Sequence, residues 1–155
     1  MDDRTFQEKS GFPKAFAILL IFQAIVGSFI LVKDNESPLT VIVITIPLTL
    51  LFLCSALKLN LNSQYFEYHF FPFILKRKKI SWDDIKEIQF IHTDPISDFG
   101  GWGVRLSRKY GKAFITGGRE IIFLKLKNGK KRSFSVKNKE KLLGFLNENK
   151  IKYGI

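Results

Sequence analysis

Two uncharged apolar runs, Ala15–Val32 (AFAILLIFQAIVGSFILV) and Pro38–Leu57 (PLTVIVITIPLTLLFLCSAL), decide the fold of this 155-residue chain. Only the polar residues Lys33 to Ser37 (KDNES) separate them. A helix needs about 20 apolar residues to cross the hydrocarbon core of a bilayer, and a segment in lipid must satisfy its own backbone amides. The pattern therefore predicts two membrane-spanning helices, residues 12–32 and 38–57, which the connector 33–37 joins into an antiparallel hairpin.

Two other interpretations of these runs are disfavoured. A helix in the core of a soluble protein normally shows a polar stripe every three to four residues, whereas Gln23 and Ser28 are the only polar interruptions between Ala15 and Val32. A cleaved signal peptide would begin with a basic segment and end at a small-residue cleavage site. The start Met1–Arg4 (MDDR) is not basic, and no such site follows Val32.

The charge of the chain predicts its orientation. The formal net charge is +11, but residues 1–37 hold four basic and five acidic side chains, whereas residues 58–155 hold 21 and nine. Short segments rich in Lys and Arg remain on the cytoplasmic side of a membrane. We therefore predict a multi-pass protein of the cell membrane with both termini in the cytoplasm. Residues 1–11 form a cytoplasmic flank, and residues 58–155 form a cytoplasmic domain.

Beyond Leu57 the apolar period changes from that of a helix to the two-residue period of β-strands. The clearest runs are 65–71, 85–92 and 121–126, and residues typical of turns bound them. The imperfect alternation at the start of 85–92 suggests a bulge there. The whole pattern predicts about seven short antiparallel strands, which form a partly open barrel.

Two local signals complete the predicted domain. Asn128-Gly129 lies between two strand-like runs and favours a hairpin with a type I′ turn, because both residues tolerate a positive φ. Asn138 is suited to cap a final helix over residues 138–149, whose apolar face holds leucines. Such a helix can cover the open end of the barrel.

This arrangement resembles a pleckstrin-homology-like (PH-like) domain. Three stretches make the resemblance more specific: Tyr68–Phe73 (YHFFPF), Ile80–Ile85 (ISWDDI) and Asp98–Arg105 (DFGGWGVR). Behind two spanning helices they are similar to a group of small, mostly uncharacterised bacterial membrane proteins with a cytoplasmic PH-like domain, over residues 12–147. The resemblance implies a transmembrane helical hairpin followed by an α+β PH-like domain, and it implies no particular activity.

The sequence predicts no enzyme and no catalytic, cofactor or metal site. Asp83 and Asp84 are adjacent and suit a turn, where carboxylates bond backbone amides. The stretch Gly100–Gly103 (GGWG) lacks the spacing of a phosphate-binding loop, and its glycines are better explained as bends around Trp102. The residues with metal-binding side chains share no ligand spacing: Cys54, His69 and His92.

The basic clusters give the leading functional hypothesis. Each cation near the anionic inner leaflet can contribute about 1 kcal/mol of attraction. The candidate lipid- or partner-binding residues are Lys76, Arg77, Lys78, Lys79, Arg105, Arg108 and Lys109, with Trp102 in the preceding loop. Further cations follow at Lys112 and between Lys125 and Arg132. The hypothesis is a membrane-anchored interaction module that contacts anionic lipid headgroups or a protein partner at the cytoplasmic face.

Two alternatives to this hypothesis remain. The basic face can be ordinary topology charge without a ligand, or the chain can be an accessory subunit of a larger membrane complex for transport or envelope functions. Nucleic acid is disfavoured as a partner, because the aromatic residues follow strand patterns and no binding signature is present. The segment Leu61–Tyr65 holds no cation, so a stereospecific inositide pocket between the first two predicted strands is not expected.

Overall fold

The structure, a computed structural model, describes residues 5–34 and 37–154. These residues form two compact units. One unit is helical and comprises Gly11–Ser55, whereas the other combines the residues up to Ser10 with those from Ala56 onward and contains the sheets. The described part of the chain is α+β, with four α-helices and sheets of four and five strands.

The helical unit contains α1 (Lys14–Lys33) and α2 (Leu39–Cys54). The ring of Phe16 lies 5.0 Å from that of Phe52, and a Cβ built on Gly27 would lie 3.7 Å from the Val41 side chain. These contacts join the start of α1 to the end of α2 and the end of α1 to the start of α2, so the helices pack antiparallel. Within the described residues, α1 is the one helix long and apolar enough to cross a membrane, and α2 is a shorter apolar helix.

The bounds of the helices differ from the prediction. Helix α2 ends at Cys54 rather than at Leu57, and strand β2 begins at Ala56. The sequence shows one apolar run here because Leu57 is fully buried in the β unit and is as apolar as the helix before it. Asn35 and Glu36 of the predicted connector lie outside the described residues.

The first sheet has the strand order β1-β2-β3-β4. Its strands are β1 (Phe6–Gly11), β2 (Ala56–Leu61), β3 (Tyr65–Phe71) and β4 (Ile74–Ser81). Strands β2 and β3 pair antiparallel, as do β3 and β4. The Asn62 side chain accepts hydrogen bonds from the backbone N–H groups of Gln64 and Tyr65 at 2.9 and 2.8 Å, which closes the turn between β2 and β3.

The second sheet has the order β5-β8-β9-β7-β6. Its strands are β5 (Ile85–His92), β6 (Gly103–Ser107), β7 (Gly111–Ile115), β8 (Glu120–Leu126) and β9 (Lys131–Ser135). A short helix α3 (Pro95–Phe99) lies between β5 and β6, and α4 (Lys139–Glu148) follows β9. Strands β7 and β9 pair in parallel, because the β8–β9 hairpin folds back and places β9 between β8 and β7.

An aromatic core fills the space between the sheets. The Phe134 ring of β9 lies 4.9 Å from Phe66 and 4.7 Å from Tyr68, both of β3. It also stacks on Phe114 of β7 at 5.1 Å. These side chains are buried, so the two sheets face each other. Helix α4 buries Leu142, Phe145 and Leu146, as the predicted apolar face of a terminal helix requires.

The described chain has nine strands in two sheets, where the sequence predicted about seven antiparallel strands in one barrel. The parallel β7–β9 pair also differs from the prediction. Several local predictions are confirmed. A register shift marks a bulge between Ile85 and Glu87, and the Asn138 side chain accepts a hydrogen bond from the Lys141 N–H at 3.0 Å, as the cap of α4.

The turn at Asn128-Gly129 forms the predicted hairpin with a different geometry. Gly129 has a φ of +80°, and Lys150 is the only non-glycine residue with a positive φ in the described part of the chain. A type I′ turn requires a positive φ at both central residues, so that prediction is wrong. The Leu126 carbonyl instead accepts from the Gly129 N–H at 3.0 Å and the Leu126 N–H donates to Lys130 at 2.8 Å, which is a three-residue loop with glycine last.

The segment predicted as a cytoplasmic flank, residues 1–11, contributes strand β1 to the first sheet. Phe6 is buried against Phe145 of α4, with ring centroids 6.4 Å apart. The buried Ser10 Oγ accepts a hydrogen bond from Thr116 Oγ1 at 2.9 Å. The Glu8 carboxylate accepts from the backbone N–H groups of Lys137 and Asn138 at 2.7 and 2.8 Å. Strand β1 therefore ties the first sheet to the second and to the start of α4.

Replacing Glu8 with alanine is expected to lower the free energy of unfolding by about 1–2 kcal/mol, because two N–H groups before α4 lose their acceptor. Urea unfolding of the full chain in detergent micelles, followed by the fluorescence of Trp82 and Trp102, measures this loss. Gln7→Ala is the matched control, since Gln7 is an exposed neighbour on the same strand. Equal unfolding midpoints for the two variants would show that Glu8 does not stabilise α4.

Candidate functional site

The cluster Lys76–Lys79 lies on β4, which is an edge strand of the first sheet. All four side chains are exposed, whereas the flanking Ile74 and Ile80 are buried. Lysines on an edge strand also discourage pairing with another sheet, so the position alone gives them a structural role. Their exposure leaves them accessible from solvent.

Two of these four cations form ion pairs with a buried carboxylate. Arg77 and Lys79 lie 3.6 and 3.7 Å from the two carboxylate oxygens of Glu67 on β3. Lys79 is paired with Glu67 and Lys78 with Tyr68, so these two neighbours are directed to opposite faces of the sheet. Lys76 lies in the irregular stretch of β4 between Ile74 and Lys78. The cluster thus contains two cations that form ion pairs with Glu67, Arg77 and Lys79. The other two, Lys76 and Lys78, take no part in these ion pairs.

A groove of about 720 Å³ covers the outer face of the first sheet. Its lining includes Lys9, Lys58, Asn60, Glu67, His69 and Arg77. Lys9 and Lys58 were not among the predicted site residues, because each is an isolated cation in the sequence and only strand pairing brings it beside the others. The groove widens the basic surface from β4 across the sheet toward β1.

The second predicted group, Arg105, Arg108 and Lys109, lies on the other sheet, at edge strand β6 and the turn that follows it. All three side chains are exposed. Lys131 Nζ donates a hydrogen bond to the Lys109 carbonyl at 3.2 Å. Hydrogen bonding to Tyr110 raises the pKa of Lys109 above its ordinary value. The structure therefore places the predicted cations in two separate groups, one on each sheet.

The register of the second sheet concentrates further cations near this turn. Lys112 of β7 is paired with Arg132 of β9, and Lys131 of β9 is paired with Lys125 of β8. Like charges directly opposite each other on neighbouring strands are destabilising. Lys125 also lies 3.9 Å from Glu87. The sequence shows these residues as separate clusters, and the parallel β7–β9 pairing brings two of the clusters together.

The glycine–tryptophan loop packs onto the outer face of the second sheet. Trp102 is half-buried against a cluster of buried side chains: Phe99, Tyr110, Ala113, Ile115, Ile121 and Phe123. Gly100, Gly101 and Gly103 have φ values of +69°, +111° and +103°, so the chain bends around the indole as expected from the sequence. The same segment contains α3. The Asp94 side chain caps the N-terminus of this helix by accepting a hydrogen bond from the Ser97 N–H at 3.1 Å. The indole therefore has a packing role in the domain.

A charged triad connects β5, β8 and α4. His92 Nδ1 lies 2.7 Å from Glu120 Oε1, and Lys139 Nζ lies 3.0 Å from Glu120 Oε2. Hydrogen bonds lower the pKa of Glu120, and the bond from His92 has a larger effect than the bond from Lys139. The triad pairs charges between elements and includes no nucleophile. Across residues 5–34 and 37–154, no group of three His, Cys, Asp or Glu side chains is placed to hold a metal ion.

The turn between β3 and β4 exposes apolar side chains. The exposed fractions of Phe71, Phe73 and Leu75 are 40%, 50% and 70%. The neighbouring Phe70 and Ile74 are buried. Pro72 ends the strand-like run, and the exposed Phe73 follows it directly.

No protein-family model and no curated protein matches the chain. The functional argument therefore depends on the surface of the β unit and on the apolar helices.

Proposed function

We propose that this chain is a non-enzymatic, membrane-anchored interaction module whose β unit contacts anionic lipid at the cytoplasmic face of the cell membrane. Eighteen large apolar side chains of α1 and α2 are exposed in the described helices, including Phe22, Phe29 and Val43. Soluble proteins rarely expose continuous apolar surfaces of this kind. A lipid environment around both helices accounts for them.

The position of β1 supports a two-span topology. Strand β1 precedes α1, β2 follows α2, and the two strands are neighbours in one sheet. A sheet cannot form across a bilayer, so both ends of the helical unit must lie on the same side. The chain between them then crosses an even number of times, and a crossing by α1 entails a return by α2. The 16 residues of α2 give about 24 Å of helix, and local thinning of the bilayer accommodates the difference from a core of about 30 Å.

The charge distribution supports a cytoplasmic β unit, since the basic excess of the chain lies entirely in residues 58–155. A PH-like architecture is part of the proposal. Two facing sheets and the packed helix α4 support it, whereas the parallel β7–β9 pair and the strand before the helices depart from the expected order. The observation on which the function depends is the exposed cation row of β4, Lys76–Lys79.

Hydrogen–deuterium exchange on the full chain in nanodiscs tests the proposed lipid contact. We expect the amides of β4 to exchange more slowly in discs that contain phosphatidylglycerol than in discs of phosphatidylcholine alone. High salt should remove this protection, because it screens exposed charges. Equal exchange of β4 in both discs at low salt would overturn the proposal.

Charge variants assign this contact to β4. The double variant Lys76→Gln/Lys78→Gln leaves the Glu67 ion pairs with Arg77 and Lys79 in place. At about 1 kcal/mol per cation, it should weaken the docking equilibrium about 30-fold and remove the protection. Lys150→Gln/Lys152→Gln is the control, since it removes the same charge from exposed positions near the C-terminus. Loss of protection in both variants would indicate a response to net charge alone.

A cleft on the helical unit favours a second candidate function, an accessory subunit of a larger membrane complex. The cleft has a volume of about 560 Å³, and its lining includes the small or hydroxyl side chains of Ala24, Ser28, Thr45 and Thr49. Small residues allow close approach of another transmembrane helix. Native mass measurement in mild detergent separates the candidates. A stable hetero-complex supports the subunit, whereas a monomer or homo-oligomer supports the module.

A further inference from the structure

The turn between β3 and β4 presents an apolar surface, which we call the apolar tip and define as Phe71, Phe73 and Leu75. Its side chains are 40%, 50% and 70% exposed. The Phe73 ring lies 5.1 Å from that of the buried Phe70, so the core of the domain holds the tip in position. Two exposed aromatic rings and a leucine within one turn form a candidate contact surface for an apolar partner.

The register of the first sheet gives the location of the apolar tip. Phe71 of β3 is paired with Ala56 of β2. Ala56 is the second residue after Cys54, where α2 ends. Paired Cα atoms in antiparallel strands lie about 4.5–5.5 Å apart. The tip therefore lies one strand spacing from the point at which the chain leaves α2, which is the membrane-proximal end of the sheet if α2 spans the bilayer.

The charge next to the apolar tip complements a membrane surface. Leu75 is followed directly by the exposed cations Lys76–Lys79. Strand β4 is irregular between Ile74 and Lys78, and these cations follow the tip directly along it. An apolar end followed by a basic segment matches the order of acyl chains and phosphates at the boundary of an anionic leaflet.

We propose that the apolar tip inserts into the headgroup–acyl boundary of the leaflet that faces the β unit, and that Lys76–Lys79 then lie among the lipid phosphates. This inference rests on the proposed function and adds a second, hydrophobic contact to it. The two contacts differ in their dependence on conditions. Insertion of the tip persists in neutral lipid and at high salt, whereas the contact of the cations requires anionic lipid and low salt.

Spin labels on two matched leucines test the insertion in the full chain. Leu75→Cys and Leu106→Cys are each made in a Cys54→Ala background, reconstituted into nanodiscs and labelled. Both leucines are strongly exposed, at 70% and 86%, and both lie on edge strands, β4 and β6. Labelling either position therefore leaves the aromatic core intact. Power saturation then compares collisions with oxygen, which concentrates in acyl chains, and with a water-soluble nickel reagent.

We expect the label at position 75 to collide more with oxygen and less with the nickel reagent than the label at position 106, in neutral and in anionic discs alike. Nickel accessibility at position 75 equal to that at position 106 would overturn the insertion. Shielding of position 75 from both reagents would also overturn it, since this indicates cover by protein.

The two experiments separate failure of the insertion from failure of the proposed function. If β4 is protected in anionic discs while the label at position 75 remains in water, the anionic contact holds and the insertion is wrong. If the label is in the acyl region while β4 exchange is indifferent to lipid charge and salt, the insertion holds and the anionic contact is wrong.

Discussion

Replacing Phe134 with alanine is expected to lower the free energy of unfolding by about 3–5 kcal/mol, because a large cavity opens in a fully packed core. Phe134 is completely buried on β9 and touches rings from both sheets: Phe66, Tyr68 and Phe114. No neighbouring side chain can fill the space without separating the sheets. A domain of this size has about 5–15 kcal/mol of stability in total, so the variant loses a large share of it.

Urea unfolding of the full chain in micelles, followed by tryptophan fluorescence, measures the effect. Leu106→Ala is the control, since this side chain is 86% exposed on β6. Its removal is expected to change the free energy of unfolding by about 0.5 kcal/mol or less. If Phe134→Ala unfolds at the same urea concentration as this control, the aromatic core does not hold the sheets together.

Gly111→Ala is expected to cost about 3 kcal/mol or more. Gly111 has a φ of +70° at the start of β7, a conformation that costs other residues about 1–2 kcal/mol. A Cβ at this position would also overlap the Lys131 Cβ and lie 2.5 Å from the Lys131 carbonyl oxygen on β9. Backbone atoms cannot rotate away as a side chain does, so β7 and β9 must move apart, with a further cost of about 1–3 kcal/mol.

Gly129→Ala separates these two costs. Gly129 has a similar φ of +80°, but a Cβ there would meet nothing within 4 Å. This variant is expected to lose only the conformational part, about 1 kcal/mol. The same urea experiment compares the two alanines. Equal losses would show that β7 and β9 are not as close at Gly111 as the structure indicates.

The elements that the sequence predicted well are those determined by local patterns. Both helices were predicted from the composition of the two apolar runs, because such uncharged side chains avoid water. Tyr65–Phe71 and Ile85–His92 were predicted with their observed bounds, since turn residues mark both ends of each run. Asn138 was identified as a cap because capping depends on the next three residues.

The elements that the sequence did not predict depend on distant contacts. Residues 6–11 (FQEKSG) lack a recognisable strand pattern, because their inward positions hold Glu8 and Ser10. Those polar groups are satisfied by Asn138 and Thr116, which lie 130 and 106 residues away. The parallel pairing of β7 with β9 is likewise not encoded in either strand, since it follows from where the β8–β9 hairpin folds back.

The candidate site divides in the same way. The exposure of Lys76–Lys79 could be predicted, since four consecutive cations are rarely buried. The half-buried Trp102 and the exposed apolar tip could not. Aromatic residues in a strand-like run suggest core, and the exposure of Phe71 and Phe73 is visible only in the folded unit.

The position of β1 also has a consequence for biosynthesis. Glu8 is synthesised early, but the N–H groups that its carboxylate binds belong to Lys137 and Asn138, 129 and 130 residues later in the chain. At roughly 5–20 residues per second, this delay is on the order of 6–26 s. Both apolar helices leave the ribosome during it. The nascent first strand thus remains without these partners while both helices emerge, and in the proposed membrane topology the helices can insert before the β unit closes.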